Sequence, residues 1–325
     1  MFVRRTVLRR GMGALVLVVT SCGVAVEITG APDPSEHAEG GASDGASADG
    51  GPIDGPRTDV DAALDADAGA PCTDDMDFVA VEPMPELGTT TSLRLAAGGT
   101  IAFIAAHGAV ALEGDQIFEG PFPKGAATYT TVIASPWDDS HPAPTSDRTS
   151  LYFEHDAGVF GRQVAIVSRS AGTGPFSMPL ILDLADGGRQ TREPYIVRDG
   201  AALYFTMEPG AAGGRDIYRA EKNGGAGWSI TLVGGAVSTT SPESHPVVSE
   251  DELTIFFSRG PGASEIWMST RASKTAPFDV ADPVGALNIG TADDRPSWLA
   301  PDRCTLYFTS DRNGGVYGVY RARRR

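Results

Sequence analysis

The chain has 325 residues and a net charge of −16 at pH 7, from 42 acidic and 26 basic side chains. Most of this acidity lies in residues 23–75, which carry a net charge of −12, whereas residues 76–325 carry −8. This distribution argues against nucleic acid as a partner, because phosphate binding requires a basic surface.

The first 22 residues have the three parts of a secretory signal peptide: four arginines, an apolar run from Met12 to Val19, and the quartet Val-Thr-Ser-Cys ending at Cys22. The apolar run is too short to cross a bilayer core, which takes about 20 residues. The quartet resembles a bacterial lipobox. This resemblance implies that a diacylglycerol is attached to the Cys22 thiol and that the chain is cut just before it. An ordinary signal peptide that happens to contain a cysteine is the alternative.

Residues 23–75 consist mainly of Gly, Ala, Asp, Ser and Pro, with few aliphatic or aromatic side chains to bury. Such a segment cannot offset its own ordering entropy, so we predict a disordered linker. Its like charges repel one another and extend it. The linker would therefore hold the following domain away from an anionic membrane surface.

Residues 76–325 contain a repeat of strand-like triplets that end in phenylalanine. The five phenylalanines are separated by 50, 52, 52 and 51 residues, and they are Phe103, Phe153, Phe205, Phe257 and Phe308. In four units a proline precedes the triplet, within Ser-His-Pro at 140–142 and 244–246, Arg-Glu-Pro at 192–194 and Asp-Arg-Pro at 294–296. Each unit has room for four short strands separated by Gly-rich turns, which is the content of one propeller blade.

The sequence therefore predicts an all-β fold: a five-bladed β-propeller of four-stranded antiparallel blades. The last unit ends after its third strand, at Arg325, and the missing pattern is found at the start of the domain. Three residue pairs share identical offsets there: Phe78 with Phe278, Pro83 with Pro283, and Leu87 with Leu287. We expect residues 76–88 to supply the fourth strand of the last blade and to close the ring.

If lipid occupies Cys22, two cysteines remain. Cys72 lies just before the closing strand, and Cys304 lies in the blade that this strand completes. In an oxidising envelope compartment they would form a disulfide that fastens the ring. Two unpaired thiols, or pairing with another chain, are the alternatives.

Three segments carry a resemblance to a known family: Ser-Asp-Arg-Asn-Gly-Gly at 310–315, Asp-Ile-Tyr at 216–218 and Arg-Pro-Ser-Trp-Leu-Ala-Pro-Asp at 295–302. They resemble the TolB-type, WD-like propeller repeats of bacterial envelope proteins. The resemblance covers residues 76–325, although the family's usual Ser-Pro-Asp-Gly turn is altered here, for example to Ala-Pro-Asp-Arg at 300–303. The resemblance implies a platform that binds proteins or small ligands. It does not identify the ligand, because a fold alone does not specify a function.

Candidate site residues lie beside the repeat proline. If the proline-bearing strand is innermost, five residues ring one mouth of the central channel: Thr91, His141, Glu193, His245 and Arg295. Four more lie close to this rim and complete the predicted ligand-facing set: Asp139, Glu243, Asp294 and Trp137. A structural role in capping each loop is favoured over ligand contact, and ligand contact over a metal ion, so no metal or cofactor is assigned. For Trp137, core packing is favoured over anchoring a partner.

The predicted protein is a monomeric, lipid-anchored envelope propeller at the outer membrane, on its periplasmic face or at the cell surface. It is expected to bind an envelope protein or a small polar ligand or glycan without catalysis. The alternative is a glycosidase-like enzyme with paired carboxylates at the channel mouth. It is disfavoured because the acids recur in each blade, whereas a catalytic pair would break the repeat. Residues 76–325 also have no Gly-x-Ser-x-Gly, phosphate-binding loop or His-Glu-x-x-His motif.

Overall fold

The computed structural model describes residues 17–20, 23–26, 72–107, 114–124, 129–156, 158–185, 188–211, 214–224 and 227–325. The chain divides into two units, Met1–Ala66 and Asp67–Arg325. In the first unit, strands β1 (Leu17–Thr20) and β2 (Gly23–Val26) pair as an antiparallel hairpin. Cys22 and residues 27–71 lie outside the described residues, so the lipobox and the linker remain predictions.

The described part of the second unit is a five-bladed β-propeller, and each blade is a four-stranded antiparallel sheet. Blade 1 contains β4 (Thr90–Ala96), β5 (Ile101–His107), β6 (Asp115–Pro121) and β7 (Thr130–Ile133). Blade 2 contains β8 (Asp139–Pro144), β9 (Ser150–Asp156), β10 (Arg162–Ser168) and β11 (Leu180–Ile181). Blade 3 contains β12 (Gln190–Val197), β13 (Ala202–Glu208), β14 (Asp216–Lys222) and β15 (Trp228–Leu232).

Blade 4 contains β16 (Glu243–Val248), β17 (Thr254–Arg259), β18 (Glu265–Thr270) and β19 (Asp282–Pro283). Blade 5 contains β20 (Asp294–Leu299), β21 (Thr305–Asn313), β22 (Val316–Arg324) and β3 (Phe78–Pro83). Short 3₁₀ turns lie at Pro85–Leu87, Ala97–Gly99, Gly158–Phe160 and Arg198–Gly200. Within the described residues, no helix has the length and apolar content of a membrane span.

The repeat phenylalanines lie on the second strand of each blade, and all five are fully buried. Strands that are covered on both faces favour such runs of aromatic and β-branched residues. One buried cluster joins Phe103 and Ile117 of blade 1 to Leu151 and Phe153 of blade 2. The apolar core therefore lies in layers between neighbouring blades.

The first strands of the blades form the inner ring. β4, β8, β12, β16 and β20 each contact the first strand of both neighbouring blades, and the contact between β20 and β4 completes the circle. These strands run from one mouth of the central channel to the other.

The N-terminal end of the domain completes blade 5, as predicted. β3 pairs antiparallel with β22, with Phe78 opposite Arg324 and Val81 opposite Ala322. Phe78 is buried and packs edge to face against Phe256 of blade 4, with the ring centroids 5.9 Å apart.

A disulfide between Cys72 and Cys304 confirms the predicted pairing. Its Cα atoms are 5.0 Å apart, and it joins positions separated by 232 residues. The Cys72 N–H also donates to the Asp302 carbonyl at 3.1 Å. The covalent bond thus ties the entry of the closing strand to the turn between β20 and β21.

Candidate functional site

The first strands of blades 2, 3 and 4 carry a β-bulge at the repeat proline. The ladder register shifts at residues 141–142, 193–194 and 245–246. The residue before each proline is left-handed, with φ of 51° at His141, 53° at Glu193 and 52° at His245. Residues other than glycine rarely adopt this conformation, and a bulge redirects the side chain that it carries. We call these three residues the histidine–glutamate cluster, and the end of the channel where they lie the histidine mouth.

The cluster brings together side chains from three blades. The rings of His141 and His245, from non-adjacent blades, have centroids 5.1 Å apart. Glu193 Oε1 lies 3.6 Å from His245 Nε2. One ligand atom from each of the three residues lies within 4.8 Å of the other two. The structure thus unites three of the nine residues predicted for the rim.

Hydrogen bonds fix the orientation of the Glu193 carboxylate. Its Oε2 accepts from Thr206 Oγ1 at 2.7 Å and from the His245 N–H at 3.0 Å. The other oxygen, Oε1, faces His245 Nε2 and the partly buried Arg215, whose Nη1 is 3.6 Å away. Glu193 is therefore anchored through one oxygen and presents the other to the channel.

Each imidazole of the cluster is held through one nitrogen only. Nδ1 of His141 lies 3.0 Å from Ser140 Oγ, and Nδ1 of His245 lies 3.0 Å from Ser244 Oγ. Nε2 of both rings is buried and has no hydrogen-bond partner among the described residues. A buried polar atom without a partner costs about 1–3 kcal/mol. Burial also holds the pKa of His245 well below its usual value, so this ring is neutral at pH 7.

Arg295 does not join the cluster, because the bulge of blade 5 falls one residue later. Pro296 pairs with Phe308 and the register shifts at Ser297, so Arg295 takes the ladder position that Ser244 has in blade 4. Alignment of the units on their prolines misses this difference. Arg295 instead forms an ion pair with Asp293 and stacks on the Tyr317 ring, 4.5 Å from its centroid.

Thr91 also lies outside the cluster. It occupies a bulge between Thr90 and Ser92 in β4 and has no left-handed φ. Its hydroxyl lies 2.5 Å from Asp115 Oδ2 and 3.1 Å from the Ala105 carbonyl. Thr91 therefore braces the inner edge of blade 1.

Three of the predicted rim carboxylates differ from expectation because they are fully buried. Each has a cationic or imidazole partner: Asp139 with His155 Nδ1 at 2.6 Å, Glu243 with Arg259 Nε at 3.0 Å, and Asp294 with Arg312 Nη2 at 2.6 Å. Burying a carboxylate requires such a partner. These three acids hold strands and loops together beneath the rim instead of facing a ligand.

Trp137 is 49% exposed, so it is not a core residue. Part of its ring lies over Gly158, where an added Cβ would sit 3.5 Å from the indole. The remaining indole surface is open to solvent beside blade 2.

The opposite end of the channel holds a feature that sequence reasoning missed. A cavity of about 230 Å³ is lined by the C-terminal halves of the inner strands and by the turns that follow them. Its lining includes Arg94, Tyr195, Trp298, Asp199, Glu250 and Arg303. We call this end the arginine mouth.

Arg94 is only 4% exposed and forms no ion pair with any described residue. Its guanidinium lies over the Tyr195 ring, 4.8 Å from the centroid, and Nη1 donates to the Leu93 carbonyl at 3.0 Å. Burial lowers the pKa of Arg94 to about 10, so the side chain stays charged at neutral pH. The sequence signal for this site was a cation inside the apolar strand segment Leu93-Arg94-Leu95.

The arginine mouth is braced by bonds between the turns of successive blades. The Ala97 N–H donates to the Ser146 carbonyl at 3.0 Å, and the Ser146 N–H donates to Asp199 Oδ1 at 2.9 Å. The Arg198 N–H donates to Glu250 Oε2 at 2.8 Å. The walls of the cavity are therefore fixed before a ligand binds, which lowers the entropic cost of binding.

Comparison with known proteins supplies fold relatives only. No protein-family model and no curated protein sequence matches the chain. A TolB protein from Agrobacterium tumefaciens is similar, with 14% identity and a TM-score of 0.46, and the match covers 73% of this chain and 76% of that protein. TolB from Acinetobacter baumannii has 14% identity and a TM-score of 0.45, over 71% of this chain and 53% of that protein.

An α-L-arabinofuranosidase from Podospora anserina, solved with cellotriose, is also similar. Its identity is 10% and its TM-score is 0.44, over 79% of this chain and 94% of that protein. At these identities the likeness concerns the fold alone.

Proposed function

We propose that the chain is a lipid-anchored β-propeller of the bacterial cell envelope that binds a partner protein or a small polar ligand without catalysing a reaction. The observation that best supports a binding role is the buried guanidinium of Arg94, which lines a cavity whose walls are held by hydrogen bonds between turns. A buried cation without an anion is costly. A ligand carboxylate, such as a chain terminus or an acidic side chain, would supply the missing charge.

The size and chemistry of the arginine mouth suit such a group. A cavity of about 230 Å³ accommodates a side chain or a chain end. The planar guanidinium matches a carboxylate through two parallel hydrogen bonds. The nearby acids Asp199 and Glu250 already accept backbone N–H groups, which lessens their repulsion of an incoming anion.

The charge state of the carboxylates supports binding over glycoside hydrolysis, which needs a general acid with a raised pKa. Burial would raise the pKa of Asp293 in the histidine mouth, but the hydrogen bond and charge of Arg295 outweigh it and lower that pKa to about 2. Glu208 there forms an ion pair with Arg192 at 3.0 Å. Burial raises the pKa of Glu243, yet this carboxyl is closed off from solvent.

The proposal of membrane attachment is based on the Val-Thr-Ser-Cys quartet and on the linker that follows it. A flexible linker of this length has an end-to-end distance of about 40 Å, and like charges extend it further. Palmitate labelling in a bacterial host tests the anchor. The wild-type chain incorporates the label and Cys22→Ala does not, whereas equal labelling of both chains would refute lipidation.

The binding role is tested by calorimetric titration of the full chain with acidic and neutral hexapeptides, each with a free or an amidated C-terminus. We expect the free carboxylates to bind more tightly. A charged hydrogen bond contributes about 1.5–3 kcal/mol, so Arg94→Met should weaken this binding roughly 10- to 100-fold.

Arg303→Gln is the matched control, because Arg303 lines the same cavity but is already paired with Asp251 and Asp74. It should change the affinity far less than Arg94→Met does. The neutral peptide with an amidated C-terminus carries no carboxylate. Its binding as tightly as the other peptides, or an equal loss of affinity in both variants, would contradict the proposed role of Arg94.

A further inference from the structure

We propose that His141, Glu193 and His245 form a binding site for a divalent transition-metal ion of the zinc type at the histidine mouth. This site is separate from the arginine mouth, so it stands or falls independently of the proposed function. Two imidazoles and one carboxylate are a donor set found in zinc sites that keep an open position.

The spacing of the ligand atoms is close to that of a metal site. A tetrahedral zinc ion with bonds of about 2.0–2.2 Å holds its ligand atoms about 3.4 Å apart. Glu193 Oε1 and His245 Nε2 are already 3.6 Å apart. The third ligand atom, from His141, lies within 4.8 Å of both. The ligand atoms would therefore have to approach one another by about 1.4 Å at most, a shift that side-chain rotation can supply.

The free atoms of the cluster are the ones that a metal would use. Nε2 of His141 and of His245 are buried, and neither has a hydrogen-bond partner among the described residues. Each Nδ1 lies 3.0 Å from a neighbouring serine hydroxyl, which can donate or accept. The Glu154 carboxylate beside His141 Nδ1 favours the tautomer in which Nε2 of that ring carries the lone pair. For His245, whose Nε2 faces Glu193 Oε1, metal binding would place the proton on Nδ1, where Ser244 Oγ can accept it. Glu193 Oε2 is held by Thr206 and the His245 N–H, which leaves Oε1 as the ligand oxygen.

Outer-shell contacts of the kind seen around metal-bound histidines are also in place. Glu154 Oε2 lies 3.3 Å from His141 Nδ1. Glu154 is fully buried, and its other oxygen accepts from Arg162 Nη1 at 2.6 Å. Metal-ligating histidines commonly donate their second ring N–H to a carboxylate, which fixes the ring and increases its basicity.

The donor set selects the class of ion. Imidazole nitrogens suit zinc, nickel, copper and iron, whereas calcium and magnesium prefer oxygen ligands. His245 also lines a cavity of about 420 Å³ that opens at this mouth, so a fourth position is accessible to water or to a ligand. Arg215 would have to release Glu193 Oε1, and its side chain, one-third exposed, has solvent to move into.

The test uses the full chain in a Cys22→Ser background, stripped of metal, so that no free thiol adds a ligand. Equilibrium dialysis should show one Zn²⁺ bound per chain. Binding should be at least about tenfold weaker in His141→Gln and in His245→Gln, since even outer-shell losses weaken metal sites 10- to 100-fold. The control is His107→Gln, which removes an exposed imidazole and should leave the affinity unchanged.

Absence of stoichiometric Zn²⁺ binding by the parent chain would overturn the proposal, as would undiminished binding in both cluster variants. Circular dichroism reports whether the variants fold. If they do not, Co²⁺ added to the parent chain decides: strong visible absorption of a four- or five-coordinate ion supports the site, and the weak absorption of six-coordinate Co²⁺ overturns it. Displacement of Zn²⁺ by excess Ca²⁺ would also refute the nitrogen-rich donor set.

Discussion

Glu252 is a buried carboxylate with several positively charged side chains around it. Its replacement gives a quantitative test of this structure. The residue lies in the turn between β16 and β17 and is fully buried. It accepts from Tyr204 Oη at 2.9 Å and from Arg219 Nε at 2.6 Å. Arg198 Nη2 lies 2.8 Å away and Lys274 Nζ 3.5 Å away.

The pKa of Glu252 sets the size of the effect. Burial alone would raise it, but hydrogen bonds from Arg219 and Tyr204, with the charges of Arg219 and Arg198, lower it from 4.5 to about 2. The folded-state pKa is below the unfolded one, so the stabilisation is complete above pH 4.5 and is lost as the pH falls toward 2. At 1.36 kcal/mol per pH unit it amounts to about 3 kcal/mol.

Urea unfolding of wild type and Glu252→Gln at pH 7, 3 and 2 measures this contribution. Other carboxylates titrate in both chains, so the difference between the chains isolates Glu252. We expect the variant to be less stable by about 3 kcal/mol at pH 7, by roughly half of that at pH 3, and by little near pH 2. A deficit that is the same at pH 7 and pH 2, or no deficit at pH 7, would refute the assignment.

Three further variants test the closure and the turns of the ring. Replacing Cys72 and Cys304 together by Ala should cost about 5 kcal/mol in guanidinium unfolding, given the 232-residue separation. An unchanged midpoint after reduction of the wild type would contradict this. Phe78→Ala should cost about 3–5 kcal/mol, while exposed Val79→Ala stays within about 0.5 kcal/mol; similar losses would show that β3 does not close the blade. Gly235→Ala should cost about 1–3 kcal/mol in thermal unfolding, because φ is 77° and the new Cβ would lie 2.3 Å from a carbonyl oxygen; an unchanged melting temperature would contradict that conformation.

The blade architecture was predictable because strands that are buried on both faces place large apolar side chains at regular intervals along the sequence. The regular spacing of the phenylalanines identified the second strand of every blade. The offsets shared by residues near Phe78 and Phe278 identified the closing strand. The phenylalanines and leucines in these patterns are buried, so each of them occupies a position that a large apolar side chain fills.

The site was only partly predictable, because register and partners come from the three-dimensional arrangement. The prolines marked the bulges of blades 2 to 4, but a shift of one residue removed Arg295 from the cluster. Asp139 pairs with His155 of the next strand, a contact that residue type alone does not specify. Arg94 acquires its environment from Tyr195, two blades away across the channel.

Blade 5 combines strands from both ends of the domain, and this determines when the ring can close. Its outer strand is among the first parts of the domain to be made, and its other three strands are the last. Because synthesis proceeds from the N-terminus, β3 cannot pair with β22 until β22 has been made. Closure of the ring by this pair requires β22, so its removal would leave β3 without its partner strand instead of yielding a smaller propeller.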